Sequence, residues 1–74
     1  MVDTIWLHRP SDDGGIDYVC FRSRQGEVEI LEGYHLPPQM PLIKTRLSLG
    51  SDQARHRRDH LENCLGYRHC PPVF

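Results

Sequence analysis

The sequence predicts a small α+β domain, in which an antiparallel sheet of three to four strands is followed by one C-terminal helix that packs on one face of the sheet. Two patterns predict this class: apolar and polar residues alternate in four short runs, and the last third of the chain changes to a helical spacing of apolar residues. The chain has 74 residues, which is enough for a single hydrophobic core, so residues 1–74 are predicted to form one domain.

The first three strands are predicted as two antiparallel hairpins over residues 4–8, 16–22 and 27–31. Each run alternates apolar with polar residues, and each gap is rich in turn formers: the first gap holds the sequence RPSDDGG and the second holds SRQG. Because short turns join these neighbouring runs, antiparallel pairing between consecutive strands is expected.

The segment EGYHLPPQMP, residues 32–41, is predicted to be a loop, because its three prolines lack backbone donors and fix φ. The sequence PQMP within it is a PxxP pattern of the kind that SH3-like grooves accept, although a rigid connecting loop accounts for the same pattern. If the loop is exposed, Leu36, Met40 and Leu42 are expected to offer an apolar contact surface. Residues 42–49 alternate again and predict a fourth strand.

A helix is predicted from Ser51 to the residue before Gly66. Ser51 occupies an N-cap position, and Gly66 can adopt the positive φ of a C′ residue. Ala54, Leu61 and Leu65 fall on one helical stripe, which is expected to pack on the sheet.

Polar side chains on the same helix are spaced for ion pairs on its exposed side. Arg55 and Asp59 stand four residues apart, as do Arg58 and Glu62. Beyond the helix, two consecutive prolines keep the tail extended, and residues 73–74 are expected to fold back on the edge of the core.

The net charge of −1 hides an asymmetry along the chain. Residues 1–43 hold three arginines against seven acids, a net charge of −4, whereas residues 44–74 hold six bases against three acids, a net charge of +3. A dedicated nucleic-acid binder of this size is usually basic overall, so the gradient favours a protein partner. The acids of the first half are then candidates to mimic phosphates and to block a nucleic-acid-binding groove on that partner. They are Asp12, Asp13, Asp17, Glu27, Glu29 and Glu32.

Histidines and cysteines near the C-terminal end have the residue types of a metal site. His60 and Cys64 lie about one helical turn apart, and Cys70 together with Cys20 from the second strand would complete a zinc-type ligand set, with His69 as an alternative to Cys70. The set lacks the paired C-x-x-C of zinc fingers, and buried core positions explain the cysteines equally well. A disulfide between Cys64 and Cys70 is a further alternative.

Three cysteines and the absence of an export signal predict the location of the protein. An odd cysteine count argues against a disulfide framework, and the start of the chain lacks a basic segment followed by an apolar one. No apolar run is long enough to span a membrane. The expected compartment is the cytoplasm.

No catalytic motif is present: the sequence lacks G-x-S-x-G, a phosphate-binding glycine loop and H-E-x-x-H, so an enzyme is not expected. We expect a small non-enzymatic protein-binding module that regulates or inhibits a larger protein or nucleoprotein complex, a class that includes phage-encoded inhibitors such as anti-CRISPR proteins. The alternative is a nucleic-acid-binding domain that uses the basic helix, with or without zinc. The candidate partner-binding residues are Asp12, Asp13, Asp17, Glu27, Glu29, Leu36, Met40, Arg55, Arg57 and Arg58.

Overall fold

The computed structural model of the protein describes residues 4–72 and places them in one antiparallel sheet with a single helix, so the predicted α+β class is confirmed. The elements are β1 (Thr4–Pro10), β2 (Ile16–Arg24), β3 (Glu27–His35), β4 (Leu42–Gly50), α1 (Ser51–Cys64) and β5 (Arg68–His69). The strands lie in the order β4-β3-β2-β1-β5, which makes β4 and β5 the two edges of the sheet.

The first four strands match the four alternating runs, but the sheet extends further than the sequence predicts. Residues 32–35, predicted to be part of a loop, continue β3, because they pair with residues 16–19 of β2 before the first proline at position 37. The sequence pattern does not predict β5, which has only two residues and pairs His69 with Leu7 of β1. The tail predicted for residues 73–74 lies outside the described residues.

A two-residue turn sets the register of the β2–β3 hairpin. Gln25 and Gly26 both have positive φ, 38° and 83°, which is typical of the type I′ turn that matches the twist of a hairpin. Arg24 therefore pairs directly with Glu27 across the turn, and both residues lie at the end of the sheet where the helix begins, since β4 brings Gly50 beside Glu27.

The buried residues form two clusters, one on each face of the sheet. The cluster under the helix consists of Leu7, Val19, Phe21, Ile30, Ala54 and Leu61. The cluster on the opposite face consists of Trp6, Tyr18, Cys20 and Leu31, with Cys70 packed against it. Both faces are involved because residues 18–21 of β2 are all buried, and successive side chains of a strand point to opposite faces.

Two side chains, Ala54 and Leu61, bury the inner side of α1 in the cluster under the helix. The third expected member, Leu65, is 40% exposed, so the prediction that it packs on the sheet is wrong. The reason is that α1 ends at Cys64, and Leu65, as the C-cap residue with φ −110°, leaves the helical stripe. Tyr67 packs against the cluster instead.

The two ends of α1 differ in how well the sequence predicts them. The N-cap residue is Gly50 and no side chain caps the first turn, so the predicted N-cap role of Ser51 is wrong: Ser51 is already the first helical residue. Gly66 has φ +76°, the left-handed conformation predicted for it. Within residues 4–72, no helix has the length and hydropathy needed to cross a membrane.

Ion pairs to other elements replace those predicted within α1. The predicted pairs, absent from residues 4–72, are Arg55 with Asp59 and Arg58 with Glu62. Arg57 instead donates to the carboxylate of Glu32 on β3, and His69 Nε2 lies 2.7 Å from Glu62 Oε1. The contact between Arg57 and Glu32 forms because α1 lies against β3 and β4, which places this sheet carboxylate within reach of the arginine.

Candidate protein-binding edge

One edge of β4 has no neighbouring strand within residues 4–72. Its inner edge pairs with β3 from Leu42 to Gly50, and no strand within residues 4–72 lies on its outer edge, since β4 ends the strand order. A strand of nine residues therefore presents unpaired backbone N–H and C=O groups along its outer side. Such an edge is a template for the addition of a strand from another chain.

Three exposed apolar side chains lie at the start of this edge. Met40 is 82% exposed, Leu42 59% and Ile43 45%; we call these three residues the apolar edge patch. Leu36, which the sequence groups with Met40, is only partly exposed. Neighbouring exposed apolar side chains are typical of interaction surfaces, and here they adjoin the open edge.

A bulge shapes the start of β4. The pairing register shifts between Glu32 and Gly33, which leaves Lys44 as an extra residue on β4. The hydroxyl of Tyr18 donates to the carbonyl oxygen of Leu42 at 2.8 Å. Glycine is required at position 33, because a Cβ there would collide with that carbonyl and with the phenol of Tyr18.

The charged side chains of β4 are cations. Lys44 lies over the ring of Tyr34, 5.2 Å from its centroid. Arg46 pairs with Leu31 on the face without the helix, and has no ion-pair partner within the part of the chain that the structure describes. Because β4 carries no carboxylate, its edge is both apolar and positively charged.

The predicted acidic residues do not form one surface. They fall at the β1–β2 end of the sheet, with Asp12, Asp13 and Asp17, and at the β2–β3 end, with Glu27 and Glu29. The nearest members of the two groups are Asp17 and Glu29: Glu29 pairs with Arg22, five positions along β2 from Asp17, a distance of roughly 17 Å. Asp17 lies 3.4 Å from Arg9, and Glu29 lies 3.9 Å from Arg22. The five carboxylates therefore form two groups, and two of the five lie beside arginines.

Asp13 and Tyr34 share a hydrogen bond that ties the β1–β2 turn to β3. The hydroxyl of Tyr34 donates to the Asp13 carboxylate, which also accepts the backbone N–H of Gly15 at 3.0 Å. These two bonds, that from Tyr34 first, hold the pKa of Asp13 below its ordinary value. The same bond raises the pKa of Tyr34 to about 12. Asp13 thus has a structural role in the turn.

The three arginines of α1 that the sequence assigns to partner binding point to different surroundings. Arg57 is engaged by the sheet, with 2.9 Å between its Nε and Glu32 Oε1. Arg55 and Arg58 line a cleft at the start of the helix, where Arg24 of β2 joins them. Sequence reasoning misses Arg24, because only the pairing of β2 with β3 brings it beside the helix.

The predicted metal ligands are divided by the sheet. Cys20 belongs to the cluster on the face without the helix and Cys70 packs against that cluster, whereas His60 and Cys64 are exposed residues of α1 on the other side. Within residues 4–72, no group of three or more His, Cys, Asp or Glu residues could hold a metal ion. The four-residue zinc set is therefore wrong, and the Cys64–Cys70 disulfide is not formed, since all three cysteines are free.

Comparison of the chain with protein-family models, with curated proteins and with solved structures finds no match. Function is therefore inferred from the geometry and chemistry of the surfaces described above.

Proposed function

We propose that this protein is a small non-enzymatic binding module, a regulator or inhibitor of a larger protein or nucleoprotein complex, that adds a strand of its partner to the outer edge of β4. The observation that carries the proposal is the open edge of nine residues at the end of the strand order. Strand addition derives affinity from main-chain hydrogen bonds and specificity from alternate side chains. The apolar edge patch supplies the side-chain contacts.

The charge of the edge selects the kind of strand that fits. If the β4 strands of two copies of this chain paired, Lys44 and Arg46 of one copy would lie opposite Lys44 or Arg46 of the other in many registers. Like charges opposite each other destabilise a strand pair, so self-pairing is disfavoured. A strand with carboxylates attracts both cations, and apolar residues at its alternate positions can cover the apolar edge patch. The partner segment is therefore extended, acidic and in part apolar.

Nucleic-acid binding through α1 has weaker support. Arg57 is engaged by Glu32, and three acids, Asp52, Asp59 and Glu62, are interspersed among the basic residues of the helix. Such acids repel phosphates along the same helix. Nucleic-acid binding is an outcome that the experiment below distinguishes.

The test uses the full chain labelled with ¹⁵N and a synthetic peptide in which glutamate alternates with valine. Binding is expected to shift the amide resonances of residues 40–50. Hydrogen exchange is expected to slow at the β4 amides that point to the outer edge, because the added strand provides acceptors for them. Binding without new protection in β4 would contradict strand addition.

Charge reversal on the two edge strands provides the matched control. Arg46→Glu on β4 is expected to weaken peptide binding about tenfold, because an exposed ion pair is lost and a repulsion replaces it. Arg68→Glu makes the same change on β5, where Arg68 is also exposed, and is expected to leave binding unchanged. Equal weakening by both variants would indicate non-specific charge attraction.

A parallel titration with a short DNA duplex separates the two classes of function. A mobility shift at low salt that disappears steeply with added salt supports the nucleic-acid alternative. The absence of a shift, together with peptide binding at β4, supports the protein-binding module.

A further inference from the structure

A cleft opens between the first two turns of α1 and the β2–β3 turn, at the end of the sheet away from the apolar edge patch. Its volume is about 380 Å³, near the lower limit of roughly 300 Å³ for pockets that hold small ligands. The apolar part of its lining is formed by Ile5, Phe21, Val28 and Ala54. The cleft can therefore shelter a flat apolar group.

Three arginines line the same cleft: Arg24 from β2, and Arg55 and Arg58 from α1. They differ from Arg9, Arg22 and Arg57, which lie beside the carboxylates of Asp17, Glu29 and Glu32, respectively. Arg24, Arg55 and Arg58 have no ion-pair partner within residues 4–72. The Nε atom of Arg58 is also inaccessible to solvent and has no hydrogen-bond partner there. A buried charged donor without an acceptor is costly. Because this Nε atom is closed to solvent, an anion in the cleft would bind through the terminal N–H groups of the three arginines.

The remaining polar groups of the cleft favour a doubly charged anion. Among residues 4–72, Glu27 is the only acid in the lining, so three guanidinium groups against one carboxylate leave a net charge of +2. Ser51 adds a hydroxyl from the first turn of α1, where no side chain caps the backbone N–H groups. The N-terminus of a helix attracts anions. A phosphate monoester, with a charge of about −1.5 to −2 near pH 7, matches this lining better than a singly charged carboxylate.

We propose that this cleft binds a small aromatic phosphate monoester, with its phosphate among Arg24, Arg55 and Arg58 and its ring against the apolar lining. Arginine suits this role because its planar fork can donate two hydrogen bonds to phosphate oxygens. The site is separate from the β4 edge, so the protein has a place for a small ligand as well as for a partner strand.

The test titrates the full ¹⁵N-labelled chain with phenyl phosphate, inorganic phosphate and benzoate. Phenyl phosphate is expected to shift amide resonances in residues 23–28 and 51–58. It is expected to bind about tenfold more tightly than inorganic phosphate, which lacks the ring, and than benzoate, which lacks the second charge. No shift at a phenyl phosphate concentration on the order of 1 mM, or equal affinity for benzoate, would overturn the proposal.

Single arginine variants locate the site. Arg55→Gln and Arg58→Gln are each expected to lower the affinity for phenyl phosphate by about 10- to 100-fold, the loss of a charge-assisted hydrogen bond. Arg46→Gln, a matched change on β4, is expected to leave the affinity unchanged. Equal weakening by Arg46→Gln would overturn the proposal. Arg55 is exposed, so its variant gives the result even if Arg58→Gln fails to fold.

Discussion

The attachment of α1 to the sheet is tested most directly by comparing Leu61→Ala with Leu65→Ala. Leu61 is 5% exposed and Leu65 is 40% exposed, although the sequence places both on one helical stripe. Removing a buried leucine side chain costs about 2–5 kcal/mol, because apolar contact is lost and a cavity remains. A partly exposed leucine outside the core is expected to cost less than about 1 kcal/mol.

The expected cost of Leu61→Ala is large for a domain of this size. A chain of 74 residues has a net stability of roughly 4–11 kcal/mol at about 0.05–0.15 kcal/mol per residue. Urea denaturation, followed by the fluorescence of Trp6 and by far-ultraviolet circular dichroism, measures the change in the free energy of unfolding. Trp6 lies in the cluster on the face without the helix, so coincident transitions show that sheet and helix unfold together. Equal losses from the two variants would refute the assignment of Leu61 as the anchor.

Two further predictions concern titratable side chains. Hydrogen bonding to Asp13 raises the pKa of Tyr34 to about 12, so we expect the stabilising effect of this bond to be complete below pH 10 and to be lost as the pH rises through about 12. Absorbance at 295 nm measures the titration of Tyr34. The variant Asp13→Asn should return the pKa of Tyr34 toward its ordinary value. At the acid end, the lowered pKa of Asp13 means that the same bond loses its effect as the pH falls through that lowered value. Cys64 is exposed, whereas Cys20 is fully buried and burial raises the pKa of its thiol. A thiol reagent near pH 8 should therefore modify Cys64 first and Cys20 only when the protein unfolds. Rapid modification of Cys20 in the folded protein would contradict its buried position.

Much of the fold follows from local patterns in the sequence. The alternation of apolar residues places the four long strands. Gly66 marks the end of the helix because glycine, which has no Cβ, adopts a positive φ readily. The wrong prediction for Leu65 has a local cause as well. The helical spacing of apolar residues continues in the sequence to Leu65, although the helix itself ends one residue earlier, at Cys64. The residue at which a helix or strand ends is set by small differences in backbone energy, which the periodicity of apolar residues does not reveal.

The candidate surfaces are harder to predict, because they depend on contacts between distant segments. Because neighbouring residues of a strand point to opposite faces of the sheet, the adjacent Leu42 and Ile43 indicate that one of these two apolar side chains lies on the face without the helix. The open edge itself follows only from the strand order. The cleft likewise needs Arg24 beside Arg55 and Arg58, which no spacing in the sequence indicates. The zinc set is wrong for the same reason, since Cys20 and Cys70 lie on one side of the sheet and His60 and Cys64 lie on the other.

The placement of β5 beside β1 has a consequence for the order of folding. Turns of two to six residues join β1 to β4 in sequence, so most of the sheet forms through contacts that are local along the chain. The exception is the pairing of Leu7 with His69, sixty-two residues apart. Closing so long a loop costs chain entropy before its few contacts compensate. We therefore expect β5 to join the sheet last and to detach first in denaturant. The sheet edge formed by β4 then stays in place while β5 detaches from β1 and pairs with it again.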